Sequence, residues 1–204
     1  MPLSAATRDT LAELGNIGIS RAARQLSALL GEPIRIAVPR VELCTAAEAA
    51  RHFESGHGEL ACVYQRMSGD LNGRIALLLA SRDSQLLFRD LLGNGAELQG
   101  IDLRAFEHEA MTEIGNILMS SCVSAMADML RIHIDISVPR YTEASVQGLF
   151  NDATTAADEA TALLIHTRLS ADRRELEGTI LLMLSAAAAE TVMFAVQALI
   201  LAGE

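Results

Sequence analysis

The chain has few of the residues that mark specialised protein classes. Its 204 residues include no tryptophan, 3% aromatic residues and three widely spaced cysteines with no CxxC pair. This composition excludes a small disulfide-stapled fold and favours buried thiols in a reducing compartment. Basic residues are also few, since 16 Lys and Arg face 26 Asp and Glu, a net charge of −10 that would repel nucleic acid and anionic lipid. We therefore expect a protein or a small molecule as the partner.

Targeting and membrane-spanning signals are weak as well. The N-terminus has no basic segment followed by an apolar one, so we expect no secretory signal and a cytoplasmic protein. The most apolar stretch, residues 179–202, contains Glu190 and Gln197 and has no basic flank. A strand followed by a helix explains this stretch better than the alternative of a membrane span.

What the chain does contain is an internal repeat. Residues 13–17, ELGNI, return as EIGNI at 113–117, and the VPR at 38–40 returns at 138–140, in both cases one hundred residues later. The apolar runs at 73–80 and 178–185 also resemble each other. Because separate motifs share one offset, they indicate a duplicated unit. We expect a single domain made of two repeats, approximately residues 1–98 and 99–204.

Each repeat is predicted to begin with a long helix that strands follow. Ser4 and Asp102 are candidate N-caps of helices that end near residues 30 and 131, the first of them at Gly31. Alternating apolar residues predict a strand after each helix, at 34–38 and 132–138, with a proline at or near its end. We also expect a short helix at 46–53, β pairs at 60–67 with 74–80 and 162–169 with 177–184, and closing helices at 84–92 and 186–201. The fold class is therefore α/β (α+β), a pseudo-twofold protein with long helices packed on a largely antiparallel β-sheet.

Helical geometry places the polar residues of the repeated motif on one face of each long helix. At about 100° per residue, they fall within an arc of about 60°, opposite an apolar stripe. These residues are Asp9, Glu13 and Asn16 in the first helix and Glu109, Glu113 and Asn116 in the second. Such a face is usually only solvated surface, but a mid-helix Asn is disfavoured and its presence in both halves needs a cause. Shared ancestry is one possible cause, and a functional site is the other.

Two glycines lie on the buried side of the same helices. Gly15 and Gly115 each cost about 1 kcal/mol of helix propensity relative to alanine. Close packing of the helix backbone against its neighbours is the benefit that we expect in return.

The spacing of the polar residues resembles the CheC, CheX and FliY family of chemotaxis phosphatases, whose signature is Asp/Ser-x3-Glu-x2-Asn-x22-Pro. Asp9, Glu13, Asn16 and Pro39 fit every interval of this signature, and so do Glu113, Asn116 and Pro139. Glu109 departs from it, because the family pattern has Asp or Ser there, and we therefore rank the first site above the second. The resemblance covers essentially the whole chain, and two sites without an additional domain resemble the CheC type.

What the resemblance implies is a phosphatase that removes the phosphoryl group from the aspartyl phosphate of a CheY-type response regulator. Glu13 and Glu113 would dock to a lysine of the regulator, and Asn16 and Asn116 would place the attacking water. Supporting roles would fall to Asp9 and Glu109, which orient, and to Pro39 and Pro139, which shape the strand end beside the helix. No cofactor is expected on this chain, because the regulator would supply Mg²⁺.

Three alternatives have less support in the sequence. One is a non-catalytic chemotaxis adaptor that acts mainly by binding CheD or another signalling protein, although simple docking would not need intact Asn and Glu in both halves. Another is flagellar switch assembly, for which an additional domain is expected. The third is zinc, thiol or nucleotide chemistry, but the five histidines form no HExxH pair and no Gly-rich phosphate loop is present.

Overall fold

A computed structural model describes residues 4–54, 59–85, 103–144, 161–171 and 174–203 of the chain. The helices are α1 (Ala5–Leu30), α2 (Ala46–Glu54), α3 (Leu103–Leu130) and α4 (Ala186–Gly203). The strands are β1 (Ile34–Thr45), β2 (Leu60–Gly69), β3 (Gly73–Ala80), β4 (Ile134–Ile136), β5 (Arg140–Ala144), β6 (Thr161–Ala171) and β7 (Arg174–Leu184). Residues 81–85 are also helical, and the rest of the helix predicted at 84–92 lies outside the described residues.

Local signals set the ends of the long helices. The Ser4 hydroxyl accepts the backbone N–H of Thr7 at 3.1 Å, and Gly31 ends α1 in the left-handed conformation with φ of 70°, so both predicted ends of the first helix are confirmed. After α3, Arg131 adopts a left-handed φ of 56° at the position where the first half has a glycine. The predicted cap Asp102 lies outside the described residues.

The strands form one seven-stranded sheet in which every pairing is antiparallel. Their order is β1-β6-β7-β3-β2-β4, and β5 lies beside β2 on the same edge as β4. The first strand of each half therefore pairs with the other half, since β1 pairs with β6 while β4 and β5 pair with β2. The predicted fold class, long helices on a largely antiparallel sheet, is confirmed.

The prediction that a proline ends the strand after the first helix is wrong. β1 continues to Thr45, and Pro39 lies in its interior at a register shift between Ala37 and Arg40. An irregularity of this kind leaves residues outside the ladder, so a proline without an N–H is tolerated there. In the second half the same point is a true break, because β4 ends at Ile136 and β5 begins only after Pro139.

The two faces of the sheet bury different helices. α1, α3 and α4 cover one face, with Leu14, Ile19, Met119 and Ile165 among the fully buried or nearly buried side chains. α2 covers part of the other face through Phe53. The apolar stripes of the long helices contain buried residues such as Leu11, Leu26, Met111 and Met126, whereas Leu29, in the last turn of α1, is 53% exposed.

The cysteines behave as expected in two positions out of three. Cys62 and Cys122 are buried, which raises the pKa of both thiols to about 12, and Cys44 is only half-buried. None of the three forms a disulfide. Among the described helices, none has a stretch long and apolar enough to cross a membrane.

Candidate functional site

The predicted polar residues lie on the outer sides of α1 and α3. Asp9 and Glu13 are exposed on α1, and Glu109 and Glu113 are exposed on α3. Asn16 and Asn116 lie one turn further along and are half-buried at the boundary between solvent and core. Each helix therefore presents a carboxylate next to an amide that protein contacts partly enclose and that solvent still reaches.

Glycines bring both helices close to their neighbours. A Cβ atom on Gly115 would lie 2.6 Å from the Cβ of Val63 on β2, so α3 rests directly on the sheet at this point. A Cβ on Gly18 would lie 2.7 Å from the Cα of Cys122, which brings α1 against α3. At Gly15 the nearest atom would be the Cγ2 of Ile165 at an ordinary 3.4 Å. The predicted close packing is thus confirmed at Gly115, while Gly15 has room for a methyl group.

Pro39 and Pro139 both lie where the ladder of their strand is interrupted. Pro39 is exposed within the irregularity of β1, and Pro139 is half-buried in the break between β4 and β5. At this break the Ser137 backbone N–H donates to the carbonyl of Arg66, and the Ser137 hydroxyl accepts the Arg66 N–H at 3.0 Å. The neighbouring Val138 is 76% exposed, whereas its counterpart Val38 is 9% exposed. The two candidate sites therefore share a helix face but differ in the strand beside it.

A residue that the sequence reasoning missed holds the amide of the second site. The side-chain Nε2 of Gln65, on β2, donates to the Oδ1 of Asn116 at 3.2 Å and to the carbonyl of Ser137 at 2.7 Å. Gln65 is 2% exposed, so the contact is made from inside the protein. A lone glutamine within an apolar strand is the signal in the sequence that could have identified it.

The first site has no comparable contact in the part of the chain that the structure describes. No hydrogen bond joins the side chain of Asn16 to another described residue. In the second half, Val63 lies under Gly115, and Gln65 follows two residues later on β2. In the first half, Ile165 lies under Gly15, and the residue two positions later on β6 is Thr167. Thr167 therefore occupies the position equivalent to Gln65. The Thr167 side chain is 7% exposed and is too short to reach as far as a glutamine.

A cavity of about 360 Å³ lies beside Pro39 on the face of the sheet that carries α2. His166 Nε2 and Glu42 Oε1 are 2.8 Å apart at its wall, and Arg40 also pairs with Glu42. Burial lowers the pKa of His166 and outweighs the opposite effect of Glu42. Burial acts to raise the pKa of Glu42, but hydrogen bonds with His166 and Arg40 lower it overall. These charges neutralise one another, so the cluster is sufficiently explained as a link between β1 and β6.

Metal-binding residues do not accompany the helix faces. Within the described ranges, no group of three or more His, Cys, Asp or Glu side chains is arranged to hold a metal ion.

Comparison with known proteins finds similarity to one family and to several solved structures. Residues 7–43 and 106–142 match the model of the CheC-like family, and these segments contain both helix faces and both prolines. The CheY-P phosphatase CheC of Bacillus subtilis (strain 168) is 30% identical over 132 residues, which are 64% of this chain and 63% of that protein.

Solved structures show that the similarity in fold extends over nearly the whole chain. Thermotoga maritima FliY has a TM-score of 0.76 at 23% identity, and the match covers 97% of this chain and 98% of that one. The FliM middle domain of H. pylori has a TM-score of 0.64 at 11% identity, over 95% of this chain and 99% of that one. The two matched segments occupy equivalent positions in the two halves, each with a Glu and an Asn on the open side of a helix, and in these segments the chain is similar to the CheC-like family.

Proposed function

We propose that this protein is a phosphatase that removes the phosphoryl group from the aspartyl phosphate of a CheY-type response regulator. The observation that carries the proposal is the pair of helix faces, each with an exposed glutamate and a half-buried amide, inside the two segments that match the CheC-like family. The name of the Bacillus subtilis relative, CheY-P phosphatase CheC, supplies the substrate class.

The proposed chemistry needs little covalent help from this chain. The oxygen of a water molecule forms the new bond to phosphorus, while the bond between phosphorus and the aspartyl oxygen breaks and the carboxylate leaves with its electron pair. One proton of the water stays on the oxygen now bonded to phosphorus, and the other passes to a second phosphate oxygen, so that inorganic phosphate is released. An amide from α1 or α3 that holds the water in line with the leaving oxygen lowers the entropic part of the barrier.

The two residue types of each face divide the work. Glu13 and Glu113 are exposed and extend from rigid helices, so they suit docking to a lysine of the regulator. Asn16 and Asn116 are partly enclosed and would enter the phosphorylated site, with Asp9 and Glu109 orienting the contact. Mg²⁺ would come from the regulator, where the ion would contact the phosphoryl oxygens and neutralise their charge.

The deciding experiment follows the decay of the organism's phosphorylated receiver domains in the presence of purified protein. The double variant Asn16→Ala, Asn116→Ala should lose the acceleration by at least about a hundredfold, the scale at which a positioned group contributes. Asn72→Ala is the matched control, because Asn72 is an exposed asparagine in the turn before β3. Full activity in the double variant, with an unchanged melting temperature, would refute the proposal.

The same assay distinguishes the phosphatase from the main alternative, a non-catalytic adaptor. An adaptor that acts through CheD or another signalling protein would bind its partner and leave receiver phosphates at their intrinsic lifetime. The FliM middle domain shares the fold at 11% identity, so this architecture by itself does not require catalysis. Fast dephosphorylation by the isolated chain would make an adaptor role secondary.

A further inference from the structure

Gln65 is a buried polar residue that joins the second site to the strand break beside it. It lies on β2 under α3, 2% exposed, in a strand whose neighbouring buried residues are apolar. Its Nε2 makes both of its hydrogen bonds, to Asn116 and to the carbonyl of Ser137, while its buried Oε1 has no hydrogen-bond partner. A buried acceptor without a partner lowers stability, and this cost offsets part of what the two hydrogen bonds of Gln65 contribute.

The hydrogen bonds fix which way both amides point. A glutamine amide has two N–H groups, and here one points to the carbonyl of Ser137 and the other to Asn116. The opposite orientation would place two acceptors, the Oε1 of Gln65 and the carbonyl of Ser137, against each other. The Oδ1 of Asn116 therefore points inward to Gln65, and its Nδ2 is the end of the amide that this contact leaves available.

The first site lacks this restraint. Thr167 stands at the equivalent position on β6, and no described residue forms a hydrogen bond with the side chain of Asn16. The two amides are therefore chemically alike but differ in restraint, since a hydrogen bond from Gln65 holds Asn116 and no described residue gives Asn16 one.

We propose that Gln65 is a positioning residue of the second site, which holds Asn116 with its two N–H groups presented to the docked regulator. This inference rests on the proposed phosphatase function and deepens it. Outward N–H groups hold the attacking water through its oxygen or donate to the phosphoryl oxygens as charge develops on them. Because the geometry exists before docking, less rotational freedom is lost when the regulator binds. The second site should therefore dephosphorylate a larger fraction of the regulators that dock to it than the first site does. This reverses the ranking from the sequence, which placed the first site above the second because of Glu109.

The test isolates each site before it removes the glutamine. In an Asn16→Ala background only the second site works, and Gln65→Met should slow dephosphorylation about three- to tenfold, the range of one hydrogen bond. In an Asn116→Ala background only the first site works, and Gln65→Met should leave its rate unchanged. Thr167→Val is the matched control, with no effect expected on the second site.

A second measurement separates positioning from folding and does not depend on activity. In the full chain labelled with ¹⁵N, Gln65→Met should shift the side-chain amide signals of Asn116 and leave those of Asn16 in place, in a protein whose backbone signals remain those of the folded parent. Gln65→Glu, which keeps the shape and loses the donor, should shift the same signals if the methionine variant folds poorly.

Two results would overturn the inference. They are equal losses of rate in the two backgrounds, and unchanged amide signals of Asn116 in the Gln65 variants. Failure of the proposed function would give a different result. The double variant Asn16→Ala, Asn116→Ala would then keep its activity, whatever the amide signals of Asn116 show.

Discussion

The glycine of the repeated motif has different surroundings in the two halves. Gly115→Ala would place a methyl group 2.6 Å from the Cβ of Val63, an atom fixed to the backbone of β2, so the helix has to move. We expect the free energy of unfolding to fall by about 1–3 kcal/mol. Gly15→Ala meets its nearest atom at 3.4 Å and gains helix propensity, so we expect stability to rise by up to about 1 kcal/mol.

Urea unfolding of the two single variants beside the parent measures this difference. The pair controls for the chemistry of the substitution, since both replace glycine by alanine in the same motif. A destabilisation of similar size in both would contradict the close approach seen only at Gly115.

His166 makes stability depend on pH. Its pKa is lowered in the folded protein, mainly by burial, while Glu42, Arg40, Thr179 and the ring of His52 face it. The unfolded chain, with a histidine pKa of about 6.5, therefore binds the proton more readily. The contribution of His166 is present above about pH 6.5 and is lost as the pH falls through that value toward the lower folded pKa.

We expect the free energy of unfolding to decrease from pH 7.5 to pH 5.5 in the parent protein, and to decrease less in His166→Gln. Glu42, whose pKa is lowered, adds a further loss only below about pH 4.5, its ordinary value. Identical pH profiles for the parent and His166→Gln would show that this histidine does not carry the effect.

At the scale of residues, the sequence identified the outer faces of the helices but not their inner support. Glu13, Asn16, Glu113 and Asn116 could be chosen because helical spacing determines which side chains share a face. Gln65 stands out as a lone glutamine in an apolar strand, but its contact with Asn116 could not be predicted, because it depends on which strand lies under α3 and that is settled by long-range pairing.

Among the elements, the join between α1 and β1 depends on one hydroxyl group. Ser27 Oγ donates to the carbonyl of Ala23 at 2.7 Å and accepts the N–H of Ile34 at 2.8 Å, so it ties the last turn of the helix to the first residue of the strand. Ser27→Ala should lower the free energy of unfolding by about 1 kcal/mol, because the N–H of Ile34 loses its acceptor. Ser124→Ala, at an exposed position of α3, should change it by less than about 0.5 kcal/mol.

Chemical denaturation of both variants checks this prediction. Equal stability of Ser27→Ala and Ser124→Ala would mean that water replaces the hydroxyl without loss. The phosphatase assay on Ser27→Ala further shows whether the angle between α1 and β1 affects the first site.

The elements were largely predictable, and the exceptions have a physical cause. Caps and apolar periodicity located α1, α2 and α4 and the paired strands, because these signals are local. The predicted length of β1 was too short, because a proline normally ends a strand. Here an irregular register lets the strand continue past Pro39. Whether a proline breaks a strand depends on the partner strand, which a local pattern does not contain.

At the scale of the molecule, the exchange of first strands makes the two halves depend on each other. β1 has β6 as its sheet neighbour, and β4 and β5 have β2. Fragments 1–98 and 99–204 would each leave strands unpaired and an apolar face uncovered, so we expect neither to unfold cooperatively by itself. Mixed together, they should recover the cooperative thermal transition of the full chain.

Circular dichroism during heating measures this, first for each fragment and then for an equimolar mixture. A cooperative transition in either fragment alone would contradict the interdependence. The sequence predicted the repeat but not the exchange, because self-similarity reveals that two units exist and not which strands they share.

The shared sheet also limits how such a protein can evolve. If one site becomes unnecessary, selection is able to relax on its Asn and Glu, but a deletion of that half would remove partners that the surviving half requires. The expected trace of a lost site among relatives of this kind is therefore a chain of full length with an eroded motif, and not a shortened gene.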